Sequence, residues 1–314
     1  MKSIVKEPLI KLLNATLLNK WTIRRFNAWY EAANYKWAFT IERRLQPPKF
    51  DYTWKISVGD KVVNFTYHKG ERREVFHFPV SYKINDQPLK AIEQLLHQHY
   101  NKDIVYFDIG ANFGLRSLYY LVNGRTCFLF EPNEECNAIT ERLFKQNNFS
   151  NGKVVSRIIG PENKIVKFYI SNSSYLSSVH KEHVEELQDL KMEIEMEQIA
   201  IDDFVKDKGL EGKVKIVKVD VEGLEYEVCL GASNLLGSDN MCLLLEILPS
   251  SRHKDKLFAF LKERNYTVYC IDTAAKLQLI PCSTGIESTN NSIDYICTND
   301  PALIRKLNAF QIHN

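Results

Sequence analysis

The chain has 314 residues, 45% of them apolar and 25% charged, with a formal net charge of +2. This composition is ordinary for a soluble globular protein, and the near-neutral charge argues against nucleic-acid binding, which would need a strongly basic balance or patch. No apolar run approaches the roughly 20 residues of a transmembrane helix, and no early stretch has the form of a secretory signal. The seven cysteines form no C-x-x-C pair, so we expect free thiols and a cytoplasmic location.

Residues 1–45 are basic and aromatic, and their apolar side chains recur at helical spacing, as in Leu9, Leu12, Leu13 and Leu17. The favoured interpretation is a pair of helices that pack on the core or on a partner subunit, because amphipathic helices mostly face a core. The alternative is a basic amphipathic helix that makes peripheral contact with the inner face of a membrane.

Residues 53–80 alternate apolar and polar side chains, which predicts two or three antiparallel strands with turns near Gly59 and Gly70. Residues 88–99 carry apolar side chains at helical spacing and predict a helix. These elements complete a predicted N-terminal helical and β-hairpin extension over residues 1–100.

Residues 101–314 are predicted to form one domain in which short apolar strands alternate with helices. Strands are predicted at residues 104–109, 126–130, 154–159, 214–219, 241–248, 267–271 and 293–297. Helices are predicted at residues 115–122, 134–147, 225–236 and 254–264. The alternation favours an α/β fold with a mostly parallel, Rossmann-like sheet and helices on both faces. Ligands of such sheets bind beyond the carboxyl ends of the strands.

A long loop is expected at residues 171–198, where it would cover the ligand site. Its acid-rich part, residues 182–197, predicts a solvated helix. His180 in this stretch is a secondary candidate for a catalytic base.

The first candidate motif is Asp108-Ile-Gly110-Ala111-Asn112-Phe-Gly114, at a transition from strand to helix. Its glycines would let the backbone turn tightly and approach a ligand closely, and the N–H groups of the helix N-terminus suit a carboxylate or phosphate. Asp108 could hold a cationic amino group, directly or through water. A tight turn without a ligand is the alternative, because a short glycine pattern is weak evidence.

The second candidate motif is Phe130-Glu131-Pro132-Asn133, in which Glu131 ends the next strand. An acid at this distance from a glycine turn can accept both hydroxyls of an adenosine ribose. The alternative is an acid that caps the following helix, but the spacing favours the ribose role. Together the two motifs predict an adenosine-containing cofactor.

The third candidate motif is Asp220-Val-Glu222-Gly-Leu-Glu225, which closes the fourth parallel strand. Carboxylates at a strand end can deprotonate a hydroxyl, hold a cation or grip a sugar. The preference for acids in the first turn of a helix explains Glu225. It explains Asp220 poorly, because an unpaired acid at the end of an apolar strand is costly. Lys218 is expected to be structural, and it could pair with Asp220.

These three motifs, in this order and spacing, resemble the FkbM-type methyltransferase family, and the resemblance extends over residues 82–298. It implies a class I methyltransferase fold, S-adenosylmethionine as the cofactor, and O-methylation of sugar or polyketide-like hydroxyls. It also implies that the methionine end of the cofactor lies along the glycine turn, with the ribose on Glu131 and the acceptor hydroxyl facing the acids of the later strands. The implied cofactor-binding residues are Asp108, Gly110, Ala111, Asn112, Gly114, Glu131 and Asn133, and the implied catalytic residues are Asp220, Glu222 and Glu246.

The expected function is therefore O-methylation of a carbohydrate or glycan-type hydroxyl, with Asp220 as the general base and Glu222 or Glu246 orienting the acceptor. A divalent metal held by the same acids is a less favoured alternative. An NAD-dependent oxidoreductase would share the glycine turn and the ribose acid, but it predicts a G-x-G-x-x-G turn that this chain lacks. A catalytically inactive binding or scaffold module would be expected to have lost the cofactor acids, which are all present.

Overall fold

The computed structural model describes residues 46–85, 87–100, 103–172, 179, 190–272, 277–287 and 293–310 of the chain. The chain divides into two compact units, one formed by residues 1–91 with 145–147 and the other by residues 92–144 with 148–314. The helices and the membrane contact predicted for residues 1–45 lie outside the described residues.

The described part of the first unit is a β-hairpin followed by a helix. Strands β1 (Tyr52–Val58) and β2 (Lys61–Tyr67) pair antiparallel, which confirms the predicted hairpin. Its two-residue turn begins at Gly59, whose φ of 60° lies in the left-handed region that such turns require.

Helix α1 (Arg73–Asn85) stands where the sequence suggested a further strand, so that part of the prediction is wrong. Its buried residues Val75, Phe76 and Pro79 recur at a spacing of three to four, which is the period of a helix and not of a strand. The ring of Phe76 lies 5.2 Å from that of Trp54 and 5.4 Å from that of Tyr67, so the helix covers the apolar face of the hairpin. The boundary between the two units falls within the next helix, α2 (Gln87–His99), which confirms the helix predicted there.

The second unit is built on an eight-stranded sheet with the order β12-β11-β13-β10-β9-β3-β4-β5. Its strands are β3 (Val105–Ile109), β4 (Thr126–Phe130), β5 (Gly152–Val155), β9 (Val214–Val219), β10 (Cys242–Glu246), β11 (Thr267–Asp272), β12 (Gln278–Pro281) and β13 (Asp294–Thr298). The five strands from β10 to β5 are parallel, and β13 pairs antiparallel with both β10 and β11. This arrangement confirms the predicted mostly parallel α/β sheet.

Helices flank both faces of this sheet. They are α3 (Leu118–Val122), α4 (Glu134–Asn147), α5 (Ile201–Asp207), α6 (Glu225–Gly231), α7 (Ser233–Leu236), α8 (Lys254–Glu263) and α9 (Pro301–Phe310). Successive side chains of β3 point to opposite faces: Tyr106 stacks on Tyr120 of α3 with ring centroids 4.0 Å apart, whereas Phe107 meets Phe204 of α5 at 5.9 Å. Every residue of β3 is buried, as its continuous apolar run predicted.

A separate three-stranded sheet corrects two predictions. It consists of β6 (Ile158–Ile159), β7 (Lys164–Ser171) and β8 (Leu190–Ile199), so the acid-rich run is a strand from residue 190 onward instead of a helix or loop. The predicted strand at residues 154–159 is likewise shared between β5 and β6, which belong to different sheets.

The alternation of apolar and charged side chains explains why residues 190–199 form strand β8. Met192, Ile194 and Met196 alternate with glutamates, and Ile194 and Met196 pack against the apolar side chains of β7. Lys167 pairs with Glu193 across the two strands at 2.6 Å. Residues 173–178 and 180–189, including His180, lie outside the described residues.

All seven cysteines are free, and six of them are buried. Among the described helices, none is long and apolar enough to cross a lipid bilayer.

Candidate active site

The candidate site residues lie at one edge of the large sheet. Four neighbouring parallel strands, in the order β10-β9-β3-β4, end there. The chain runs outward from β3 through β4 to β5 on one side and through β9 to β10 on the other, so the strand order reverses between β3 and β9. This reversal point is where α/β sheets bind their ligands.

The glycine turn after β3 is held against the end of β9. Gly110 has a φ of 76°, and a Cβ atom on it would lie 1.7 Å from the backbone oxygen of Asp220. The backbone N–H of Asp220 donates to the carbonyl of Ile109 at 3.0 Å, and the N–H groups of Gly110 and Ala111 donate to Phe130 at 2.9 and 3.2 Å. Only glycine permits this approach, so Gly110 fixes the positions of the first and third motifs relative to each other.

The second half of the turn leads into a short helical stretch. Gly114 has a φ of 72°, and a Cβ there would lie 2.9 Å from Cγ2 of Thr140 on α4. The backbone of Asn112 is also in the left-handed region, with a φ of 49°. A 3₁₀ turn, Leu115–Ser117, precedes α3, which has only five residues. The predicted helix at residues 115–122 therefore begins as a 3₁₀ turn.

Asp108 is fully buried beneath the glycine turn. Its Oδ2 accepts a hydrogen bond from Oγ of Ser117 at 2.7 Å, and its Oδ1 lies 3.3 Å from Nζ of Lys218. Lys218 occupies the position opposite Asp108 in the register of β3 and β9. The structure therefore places the Asp108 carboxylate inside the turn, between two residues of the chain.

The carboxylate of Glu131 closes the other side of the turn. Its Oε2 accepts the backbone N–H of Asn112 at 2.9 Å, and its Oε1 accepts that of Asn133 at 2.8 Å. Burial raises the pKa of Glu131 to about 7, against the lowering effect of these two hydrogen bonds. In the ionised form each carboxylate oxygen offers two acceptor positions, so each then keeps one for a ligand hydroxyl.

Asn133 has a local structural role. Its Oδ1 accepts the backbone N–H of Glu135 at 3.0 Å and so caps the start of α4. Its Nδ2 is buried without a hydrogen-bond partner among the described residues.

The acids of the third motif lie across the reversal point from Glu131. Oδ2 of Asp220 lies 3.0 Å from Nζ of Lys218, and 27% of the Asp220 side chain is exposed, whereas none of Asp108 is. Glu222 stands in a left-handed conformation with a φ of 54°, and burial together with the charge of Asp220 raises its pKa to about 8. Asp220 is thus the acid of the third motif that a ligand can reach, and its carboxylate remains paired with Lys218.

Glu225 begins helix α6, as its sequence position suggested. Its Oε1 accepts the backbone N–H of Gly223 at 2.8 Å and its Oε2 accepts Oγ of Ser251 at 3.3 Å. Burial raises the pKa of Glu225 to about 7.

Two further charged residues, Asp294 and Arg116, adjoin Glu246 and were not anticipated from the sequence. Asp294 is the direct cross-strand partner of Glu246, and a guanidinium nitrogen of Arg116 lies 3.6 Å from Oδ1 of Asp294. The charge of Asp220 and burial raise the pKa of Glu246 well above its ordinary value. The order of strands in the sequence does not show that β13 enters the sheet beside β10, so no sequence pattern brings Asp294 to this edge.

No cluster of three or more His, Cys, Asp or Glu side chains suited to a metal ion occurs within the described part of the chain.

A sequence profile of the Methyltransferase FkbM domain matches residues 108–268, slightly more than half of the chain. The chain belongs to the FkbM methyltransferase family. The match begins at Asp108 and includes all three motifs. No curated protein matches this FkbM-family chain.

Several solved structures are similar to it. An FkbM methyltransferase from Methylobacillus flagellatus is 14% identical with a TM-score of 0.41, and the match covers 72% of this chain and 53% of that protein. A precorrin-6y C5,15-methyltransferase from Geobacter metallireducens is 14% identical with a TM-score of 0.38, over 67% and 86% of the two chains. A SAM-dependent methyltransferase from Agrobacterium tumefaciens is 10% identical with a TM-score of 0.38, over 78% and 69%. The FkbM-family chain thus spans about half the length of the Methylobacillus protein.

Proposed function

We propose that this FkbM-family protein is an S-adenosylmethionine-dependent O-methyltransferase that acts on a hydroxyl of a carbohydrate or glycan-type acceptor. The observation that carries the proposal is the distribution of acids along one sheet edge. Glu131 and the glycine turn follow β4 and β3, whereas Asp220 and Glu246 follow β9 and β10. A cofactor and an acceptor would therefore have separate sets of polar groups in one cleft.

The residues that follow β3 and β4, which are the glycine turn and Glu131, fit S-adenosylmethionine. Glu131 keeps one acceptor position on each oxygen, which suits the two ribose hydroxyls, and the glycine turn holds that carboxylate in place through the N–H of Asn112. The bound cofactor would supply a methyl group already activated on a sulfonium. The protein then mainly has to position the donor and the acceptor.

The acids that follow β9 and β10 fit the acceptor. A sugar hydroxyl is a poor nucleophile at neutral pH, so a base that accepts its proton accelerates the transfer. Asp220, paired with Lys218 and partly exposed, would accept this proton. The pKa of about 8 at Glu222 favours a protonated carboxyl near neutral pH, and the charge of Asp220 together with burial raises the pKa of Glu246 in the same direction, so both would donate hydrogen bonds to acceptor oxygens. Neighbouring acids with different protonation states are typical of sites that combine a base with hydrogen-bond donors.

Calorimetry with S-adenosylmethionine tests the cofactor half of the proposal. We expect the wild type to bind and Glu131→Gln to bind at least about tenfold more weakly, since an amide cannot accept from both backbone N–H groups and two hydroxyls. Glu134→Gln, which removes an exposed carboxylate three residues away, is the matched control. A wild type that binds NAD instead, or binds neither cofactor, contradicts the proposal.

Transfer of a labelled methyl group tests the acceptor half. Asp220→Asn should bind the cofactor normally yet transfer the methyl group about 10²–10⁴-fold more slowly, because it loses only the base. Panels of oligosaccharides, phenols and aliphatic polyketide alcohols, each assayed with and without a chelator, separate the acceptor classes and test for a metal. Transfer to phenols but to no carbohydrate would contradict the proposed acceptor class.

A further inference from the structure

Lys218 carries a buried positive charge in the middle of the sheet. Only 8% of its side chain is exposed, and it lies on β9, between β3 and β10. Its Nζ donates to the carbonyl of Gly110 at 3.2 Å and lies 3.0 Å from Asp220 and 3.3 Å from Asp108. The ammonium group thus donates hydrogen bonds to the glycine turn and to the acid of the third motif, and it forms an ion pair with the acid beneath the turn.

Stability alone does not account for this lysine. A strand buried on both faces of a parallel sheet is normally filled with Val, Ile or Leu. A buried ion pair gives little or no net stability compared with apolar side chains of similar volume, because both charges lose their hydration. Lys218 also has one charge for two carboxylates, which belong to different strands and, in the proposed function, serve different ligands.

We propose that Lys218 is a positioning residue that keeps the Asp220 carboxylate ionised and fixed at the acceptor side while tying it to the glycine turn of the cofactor side. This inference rests on the proposed function. It concerns a residue that touches neither ligand and acts through the two aspartates.

Several other charged groups act on Lys218, and they set the sign of the expected effect. Asp108, Asp220 and Glu246 favour its charged form, whereas burial and Arg116 oppose it, and the pKa of Lys218 is raised on balance. The positive charge of Lys218 also opposes the rise in the pKa of Glu131, Glu222 and Asp294. Without the lysine, Asp108 and Asp220 would both lose the cation that each of them contacts, while the neighbouring acids remain. One of them then takes up a proton at a higher pH than before.

The test compares Lys218→Met with Lys215→Met. Lys215 lies on the same strand, but its Nζ donates to the carbonyl of Asp239, so its loss removes a lysine without touching the aspartates. For Lys218→Met we expect the acid limb of the kcat profile to move up by about one to three pH units, because an opposite charge at this distance shifts a carboxyl by that amount. Activity lost near neutral pH should return in alkaline buffer, and Lys215→Met should keep the wild-type profile.

A second readout needs neither cofactor nor acceptor. A carboxyl whose folded pKa is raised loses stability as the pH rises from its unfolded value through its folded value. The melting temperature of ligand-free Lys218→Met should therefore fall below that of the wild type by a growing margin between about pH 5 and pH 8, whereas the difference for Lys215→Met should stay constant.

Three results would overturn the inference: an unchanged profile for Lys218→Met, a rate lowered by the same factor at every pH, or a melting difference that does not depend on pH. If Lys218→Met does not fold, the double variant Asp108→Asn/Lys218→Met, compared with Asp108→Asn alone, removes the repelling acid as well. Its acid limb should still move up, and an unmoved limb would again overturn the inference. Failure of the proposed function is a separate outcome, since it is seen as absence of cofactor binding or methyl transfer in the wild type.

Discussion

Replacing Gly110 by alanine tests the contact between the glycine turn and the end of β9. Both Gly110 and Gly124 have a left-handed backbone, with φ values of 76° and 77°. They differ in their surroundings: a Cβ on Gly110 meets the carbonyl of Asp220 at 1.7 Å, whereas a Cβ on Gly124 has nothing within 4 Å. Gly124→Ala is therefore the matched control for the backbone conformation itself.

The two variants should differ by a clear margin in the free energy of unfolding. A left-handed conformation costs an alanine about 1 to 2 kcal/mol, and this term applies at both positions. At Gly110 the backbone would also have to move by about 1 Å or more from Asp220, and overpacking of this kind costs about 1 to 3 kcal/mol. We therefore expect Gly124→Ala to lose about 1 to 2 kcal/mol and Gly110→Ala about 2 to 5 kcal/mol.

Urea unfolding followed by far-UV circular dichroism measures both losses, with the slope checked for each variant. Gly110→Ala should also weaken binding of S-adenosylmethionine, since the displaced turn carries the N–H that orients Glu131. Equal destabilisation of the two variants, with cofactor binding intact, would refute the close approach of the glycine turn to Asp220.

Three other predictions follow from buried polar groups. Burial raises the folded pKa of Glu131 and Glu225 from an ordinary value of 4.5 to about 7, so both hold protons that the unfolded chain releases. The melting temperature of the wild type should therefore fall as the pH rises from 4.5 to about 7, and Glu225→Gln should flatten this dependence. Ser117→Ala removes the hydroxyl donor to Asp108 and should cost about 1 to 3 kcal/mol in urea unfolding, while a loss below measurement error would contradict the buried hydrogen bond. Asp202→Ala removes the carboxylate that accepts two backbone N–H groups at the start of α7, and a calorimetric melt should show a loss of about 1 kcal/mol, which Asp202→Asn should largely restore.

Most of the large sheet could be predicted from the sequence because its strands are continuous apolar runs. The run around Phe107 can only be buried on both faces, and each such run is followed by a helical pattern. Once the strands are parallel, Glu131 and Asp220 must lie at the same edge, since both follow a strand end. Chain order and strand direction therefore predicted that these two acids share one edge, whereas the roles of the site residues came from the family resemblance.

The remaining features depend on long-range pairing or on competing local patterns. Met192, Ile194 and Met196 alternate with glutamates, so the period of a strand was present in β8, but the high charge suggested a helix. The alternation of apolar and polar side chains predicted strands through residue 80, although helix α1 begins at Arg73. The pairing of Lys218 with Asp108 depends on the register between β9 and β3, which only the folded sheet defines. A lysine within an apolar strand was the available signal, because a buried amine needs acidic partners.

The place of β13 in the sheet has a consequence for how this protein is made. Strand β13 follows β10, β11 and β12 along the chain, yet it lies between β10 and β11, and it brings Asp294 to Glu246. During synthesis, β10 and β11 leave the ribosome first and cannot acquire their native neighbour until residues 294–298 follow. Until then both expose an unpaired edge to which other nascent chains can add. A chain that lacks residues 294–298 would have its glycine turn complete, but β10 and β11 would each keep an unpaired edge and Glu246 would lack its cross-strand neighbour Asp294, so pairing within this sheet can be completed only after residue 298 has been made.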